Sequence, residues 1–246
     1  MKKSLIMFLF ITLIASMLLT GCGDDKKTNS PSGPEIDPTD YNYYFGISSI
    51  VRDGRDNEYL VAVSSYDGTA IASAEVTVAG QTYTLENAYG ILIGYVTLPQ
   101  IGAYSYEVVI DGNKEFNFNL APAPVVEAQW PQTIMIGEDF DVSWSLSPNQ
   151  DPQVQEFSGY AYDEMGDEED HFETLSTSAR SYTVPGNWFS TDMTSYEYDL
   201  IAVNYATDGE MIGVSVEGSF IEYYAYGKST NKPLDYIKKA VDKFVK

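Results

Sequence analysis

The 246-residue chain has one cysteine, Cys22, and one histidine, His171. A single cysteine so close to the N-terminus leaves the body without a disulfide, a thiolate nucleophile or a cysteine-based metal site. A lone histidine cannot build a His-rich metal centre. Any Ser-His-Asp triad would have to pass through it, and the chain contains no Gly-x-Ser-x-Gly turn to carry the nucleophile. Phosphate-loop and dinucleotide fingerprints are missing as well. Positive charge is scarce: residues 41–227 hold only Arg52, Arg55, Lys114 and Arg180 against 29 Asp and Glu. An acidic body repels phosphate, which argues against nucleic acid and anionic substrates. With 36 acidic residues, some carboxylate pair falls at a glycosidase spacing by chance, so acid pairs alone are no sign of that chemistry. The expectation is a non-enzymatic chain with no catalytic residue.

What is abundant is apolar and aromatic. Hydrophobic residues make up 44% and aromatics 14%, with 20 Tyr and 11 Phe, enough to bury real cores. Tyrosine joins a β-favouring ring to a polar tip and suits strands with one wet face.

The N-terminus reads as a targeting segment. Lys2 and Lys3 precede an apolar run from Leu5 to Leu19, shorter than a typical membrane span. Leu19-Thr20-Gly21-Cys22 follows. This resembles the lipobox of bacterial lipoproteins, which implies a signal helix cut after Gly21 and a covalent lipid on Cys22. Two or more acyl chains anchor stably where one does not. In the proteobacterial lipoproteins that this segment resembles, Asp after the cysteine favours inner-membrane retention, so Gly23 there implies the outer membrane or cell surface over the inner membrane. Asp24-Asp25 resembles the surface-export signals of some Bacteroidota lipoproteins. Residues 23–40 lack apolar periodicity and carry Pro31, Pro34 and Pro38, so they form a tether.

Beyond the tether the chain predicts an all-β body. In residues 41–121, Tyr59, Val61 and Val63 alternate, as do Val76 and Val78, Tyr83 and Leu85, Tyr104 to Ile110, and Phe116 to Leu120. Gly90 to Leu98 is apolar on both faces and predicts a central strand. Asp53-Gly54, Asp67-Gly68, Ala79-Gly80 and Asp111-Gly112 supply turns. The stretch from Asp67 to Val78 resembles bacterial immunoglobulin-like and carboxypeptidase-regulatory-like modules. Ala121-Pro122-Ala123-Pro124 makes a stiff joint, and a rod of two tandem immunoglobulin-like sandwiches is expected.

In residues 122–227, Phe140, Val142, Trp144 and Leu146 alternate with polar residues, giving a half-buried strand anchored by Trp144. Tyr196 to Asn204 resembles the penultimate strand of fibronectin type III domains, with Tyr196 at the tyrosine-corner position. That resemblance speaks to fold and not to function.

Residues 228–246 change character, holding Lys228, Lys232, Lys238, Lys239, Lys243 and Lys246. Leu234, Ile237, Val241 and Phe244 recur at helical spacing after Pro233, predicting a short amphipathic basic helix. Such a helix needs a surface: its own acidic body, a groove on a partner protein, or anionic lipid.

Two further sites are expected. Asp163-Glu164-Met165-Gly166-Asp167-Glu168-Glu169-Asp170 reads as a hairpin tip. Asp163, Asp167, Glu168 and Asp170 either hold calcium through oxygen ligands or are simply solvated; the spacing is not that of an EF-hand. Trp188, in a loop, is the first choice for stacking against a sugar. The leading expectation is a lipid-anchored binding, adhesion or assembly scaffold with a protein partner. The second is a glycan- or calcium-binding accessory module of a surface uptake system.

Overall fold

The structure, a computed structural model, describes residues 40–49, 58–88, 90–99, 102–165, 168–224 and 228–229. Cys22, Asp167, the signal segment and the residues expected to form the C-terminal helix lie outside them. Sixteen strands run through the described residues. The first eight are β1 (Tyr43–Ser49), β2 (Glu58–Ser65), β3 (Ala74–Val78), β4 (Gln81–Thr84), β5 (Glu86–Ala88), β6 (Ile91–Thr97), β7 (Tyr104–Ile110) and β8 (Lys114–Leu120). The others are β9 (Val125–Gln129), β10 (Phe140–Ser147), β11 (Val154–Tyr162), β12 (Glu168–Leu175), β13 (Ser181–Val184), β14 (Ser195–Asp208), β15 (Met211–Tyr224) and β16 (Lys228–Ser229). The all-β expectation is met.

One nine-stranded sheet runs through the body in the order β12-β11-β14-β15-β1-β2-β6-β5, with β16 on the end of β15. A four-stranded sheet, β4-β3-β7-β8, and a three-stranded sheet, β13-β10-β9, complete the fold. The hairpin β14–β15 is the spine, pairing without a break from Ser195↔Tyr224 to Asp208↔Met211. β1 then joins β15 in parallel, Tyr43↔Met211 to Ile47↔Ser215.

Side chains alternate across a strand, and both smaller sheets pack on the same face of the large one. The first core joins Phe45, Ile47, Val61 and Val63 to Val76, Tyr106, Val108 and Phe118, and takes in Met211 from β15. The second joins Phe157, Tyr196, Tyr198 and Leu200 to Val142, Trp144, Leu146 and Val184, and takes in Ile221 and Tyr223 from the other end of β15. Trp144 is buried as expected, and its indole N–H donates to Gln155 Oε1 at 3.0 Å.

The joint at 121–124 is therefore not the only crossing between the two cores. It is also pinned down. Ala123 N donates to Ser215 Oγ at 2.7 Å, and Asn204 Nδ2 donates to the carbonyls of Ala121 and Pro122 at 3.3 and 3.2 Å. Asn117 N donates to Asp208 Oδ2 at 2.7 Å, tying β8 to the end of β14.

Tyr43, Tyr44 and Phe45, outside the strands expected from alternation, form β1. Two local expectations change. β6 is not central, because only the three-residue β5 lies beyond it. The acidic tip is shorter than expected: β12 already begins at Glu168, paired with Tyr162, and Asp170 pairs with Tyr160.

Candidate functional site

Two regions bring candidate side chains together. The first surrounds Trp188, in the loop between β13 and β14. Its ring lies flat beside His171, centroids 5.4 Å apart and planes 20° apart. It also meets Phe157 edge-on at 5.9 Å and Tyr182 at 6.0 Å. Gly159, across β11–β12 from His171, makes room for it: a Cβ there would sit 3.1 Å from Trp188 Cε3 and 2.9 Å from Phe189 Cζ. The indole is thus half-buried in the rim of the second core rather than standing free as a platform. Glu169 holds the loop by accepting from Ser190 N at 2.8 Å and Ser190 Oγ at 2.5 Å. Those two bonds lower the Glu169 carboxyl below its ordinary range.

The expected calcium residues divide. Asp163 Oδ1 accepts from Met165 N at 2.8 Å, closing a local turn. Glu168 and Asp170 are exposed and, two residues apart on β12, point to the same side of the sheet. Glu169 points to the other side, at Ser190. Among the described residues no group of three or more His, Asp or Glu is gathered as a metal site.

The second region is the face of the nine-stranded sheet opposite the two cores. At its centre Ile201, Val203 and Val216 form a small buried cluster with Val154 and Val214. Every member of this cluster belongs to the nine-stranded sheet, and none comes from the smaller sheets. Beside it sit four carboxyl groups. Glu197 and Glu222 face each other across β14–β15. Asp199 lies two residues along β14, and Glu156 is its diagonal neighbour on β11. Glu197 is 3% exposed, Glu222 6% and Asp199 8%. Tyr160 and Tyr162 flank them from β11.

Burial of so many acids has a cost. Desolvation, reinforced by the neighbouring Glu156, pushes the Asp199 carboxyl up to about 7. Desolvation pushes Glu156 up to about 7. It also raises the Tyr160 and Tyr162 hydroxyls, with Asp199 and Glu197 the leading charged neighbours. Glu222 Oε2 is buried and has no hydrogen-bond partner. Like charges directly opposed in a sheet repel, and an unsatisfied buried oxygen costs more still.

The body's own described cations are engaged elsewhere. Lys114 donates to the Tyr43 hydroxyl. Arg180 pairs with Asp151 at 2.6 Å and donates to the carbonyls of Thr177 and Ala179. The face thus combines an apolar middle with an acidic end. Sequence reasoning missed this region because Glu197 and Asp199 alternate with core tyrosines and read as solvent-facing. The available signal was Leu200-Ile201-Ala202-Val203, a run apolar on both sides of one strand. The chain matches no protein-family model and no curated protein.

Proposed function

We propose that the chain is a non-enzymatic, lipid-anchored cell-envelope protein that works as a binding and assembly scaffold. Cys22 carries the lipid, residues 23–40 form the tether, and the outer membrane or cell surface is the location. The body is two immunoglobulin-like sandwiches, residues 41–121 and 122–227, fused through their shared sheet. The Tyr196 hydroxyl, which donates to the Met193 carbonyl at 3.0 Å, supports the fibronectin type III likeness of the second.

The observation that carries the binding reading is the acidic, part-apolar outer face of the nine-stranded sheet, with Glu197 opposed to Glu222 and an unsatisfied Glu222 oxygen. Buried acids are tolerated when a cation satisfies them. The fitting partner is a protein presenting a basic amphipathic segment.

The test is a crosslinking pull-down from the native envelope, using the mature chain and a Glu197→Lys, Glu222→Lys variant. A stoichiometric protein captured by the first and lost with the second is the expected result. Capture of nothing by either overturns the scaffold reading.

A second reading, the glycan- or calcium-binding accessory module, rests on the half-buried Trp188 beside exposed His171. Glycan arrays and calcium titration test it directly; binding lost in Trp188→Ala with the fold intact supports it.

A further inference from the structure

We infer that in the free protein the outer acidic face is occupied by the chain's own C-terminal segment, residues 233–245, acting as a built-in stand-in for the partner's basic segment. This rests on the binding face proposed above and names its resident occupant.

The first argument is enclosure. A sheet face with nothing over it leaves its side chains open to water, yet Ile201 and Val216 are 4% and 1% exposed and Asp199 is 8% exposed. The smaller sheets lie on the opposite face and contribute nothing to this cluster.

The second argument is position. β16 pairs with the end of β15, Lys228 opposite Tyr224 and Ser229 opposite Tyr223, and runs antiparallel to it. β16 therefore lies beside the Glu222 end of β15 and points back along it. β1 covers that side of β15 only as far as Ser215. Seventeen residues follow Ser229. A helix over 233–245 is about 20 Å long. The face from Glu222 to Val214 measures about 27 Å at strand spacing, so the helix reaches from the carboxylates to the valines.

The third argument is complementarity. Residues 228–246 contain six lysines and two aspartates. Leu234, Ile237, Val241 and Phe244 form one helical stripe, and Lys238 borders it. That stripe matches Ile201, Val203 and Val216, and a bordering lysine reaches the Glu197–Glu222 pair. The only other described cations, Lys114 and Arg180, are already engaged elsewhere.

The test uses the full mature chain. Cys22 is the only cysteine, so Cys22→Ser gives a thiol-free background for spin labels at Lys239→Cys in the tail and Asp170→Cys on the exposed edge of the face. Pulsed electron resonance then reads the distance between them. The expected result is one narrow, short distance that survives dilution with excess unlabelled chain and becomes broad in Phe244→Asp and in Lys238→Glu. A broad distribution before any such substitution overturns the inference. So does a narrow one lost on mixing with unlabelled chain, which assigns the occupant to a second copy. The scaffold reading is judged separately by the pull-down: a partner captured by a chain whose tail does not dock sinks this inference alone.

Discussion

At the scale of single residues, Trp188 and Asp199 show how a side chain's surroundings decide its part. Trp188 fills the space that Gly159 leaves, against Phe157, Tyr182 and His171. Trp188→Ala is expected to cost about 2 kcal/mol or more by opening a cavity. Gly159→Ala is expected to cost about 1–3 kcal/mol by crowding the same ring. Urea denaturation of both variants checks this, and an unchanged midpoint in either would mean that the indole is not structural. Asp199 leads to a pH prediction. Its carboxyl is harder to ionise in the folded chain than in the unfolded one, where its pKa is about 4. Between that value and about 7 the folded state binds the extra proton. Stability therefore falls as pH rises through this window and is highest below it. The melting temperature should be higher at pH 5 than at pH 8. Asp199→Asn should narrow the gap by raising the value at pH 8, about 2–4 °C for each kcal/mol gained. Trp188 stood out in the sequence because tryptophan is rare there; Asp199 did not, because an acid following Tyr196-Glu197-Tyr198 continues the alternating pattern of a wetted strand.

At the scale of elements, most strands were legible from alternation or from an apolar run, and β1 was not. β3, β7, β8 and β10 alternate cleanly, since one side of each faces a core and the other faces water. β1 was missed because its partners are distant in sequence: β15 lies some 168 positions away at Tyr43↔Met211, and no local pattern encodes a parallel pairing. The same distance explains why the shared sheet was not foreseen, since hairpin turns announce neighbours and say nothing of crossovers. Met211 makes the consequence measurable. It begins β15, in the second half of the chain, yet it is fully buried in the first core. Met211→Ala should cost about 2–5 kcal/mol. Hydrogen exchange should then rise in β2 and β7 of the first half; a rise confined to β14 and β15 would show that β15 does not support the first core.

At the scale of the whole molecule, the argument turns on whether the two cores are separable. A stiff proline joint by itself predicts two beads that melt independently. The structure gives the opposite balance: β14 and β15 are each 14 residues long, their hairpin contributes to both cores, and Asn204 and Ser215 hold the joint against the sheet. A residue range of 41–121 expressed alone keeps β1 and β2 but loses β15 on the other side of β1, exposing an edge and opening the first core where Met211 sat. The expected calorimetric trace of the mature chain is one transition whose calorimetric and van't Hoff enthalpies agree. The isolated 41–121 fragment is expected to be unfolded or aggregated at the same temperature. Two resolved transitions, or a fragment with the native near-ultraviolet spectrum, would return the molecule to a rod of independent units. A single transition means instead that a ligand gripping the outer face at the Glu197–Glu222 end also stabilises the strands at the other end of β15. Binding and folding would then be linked along one sheet.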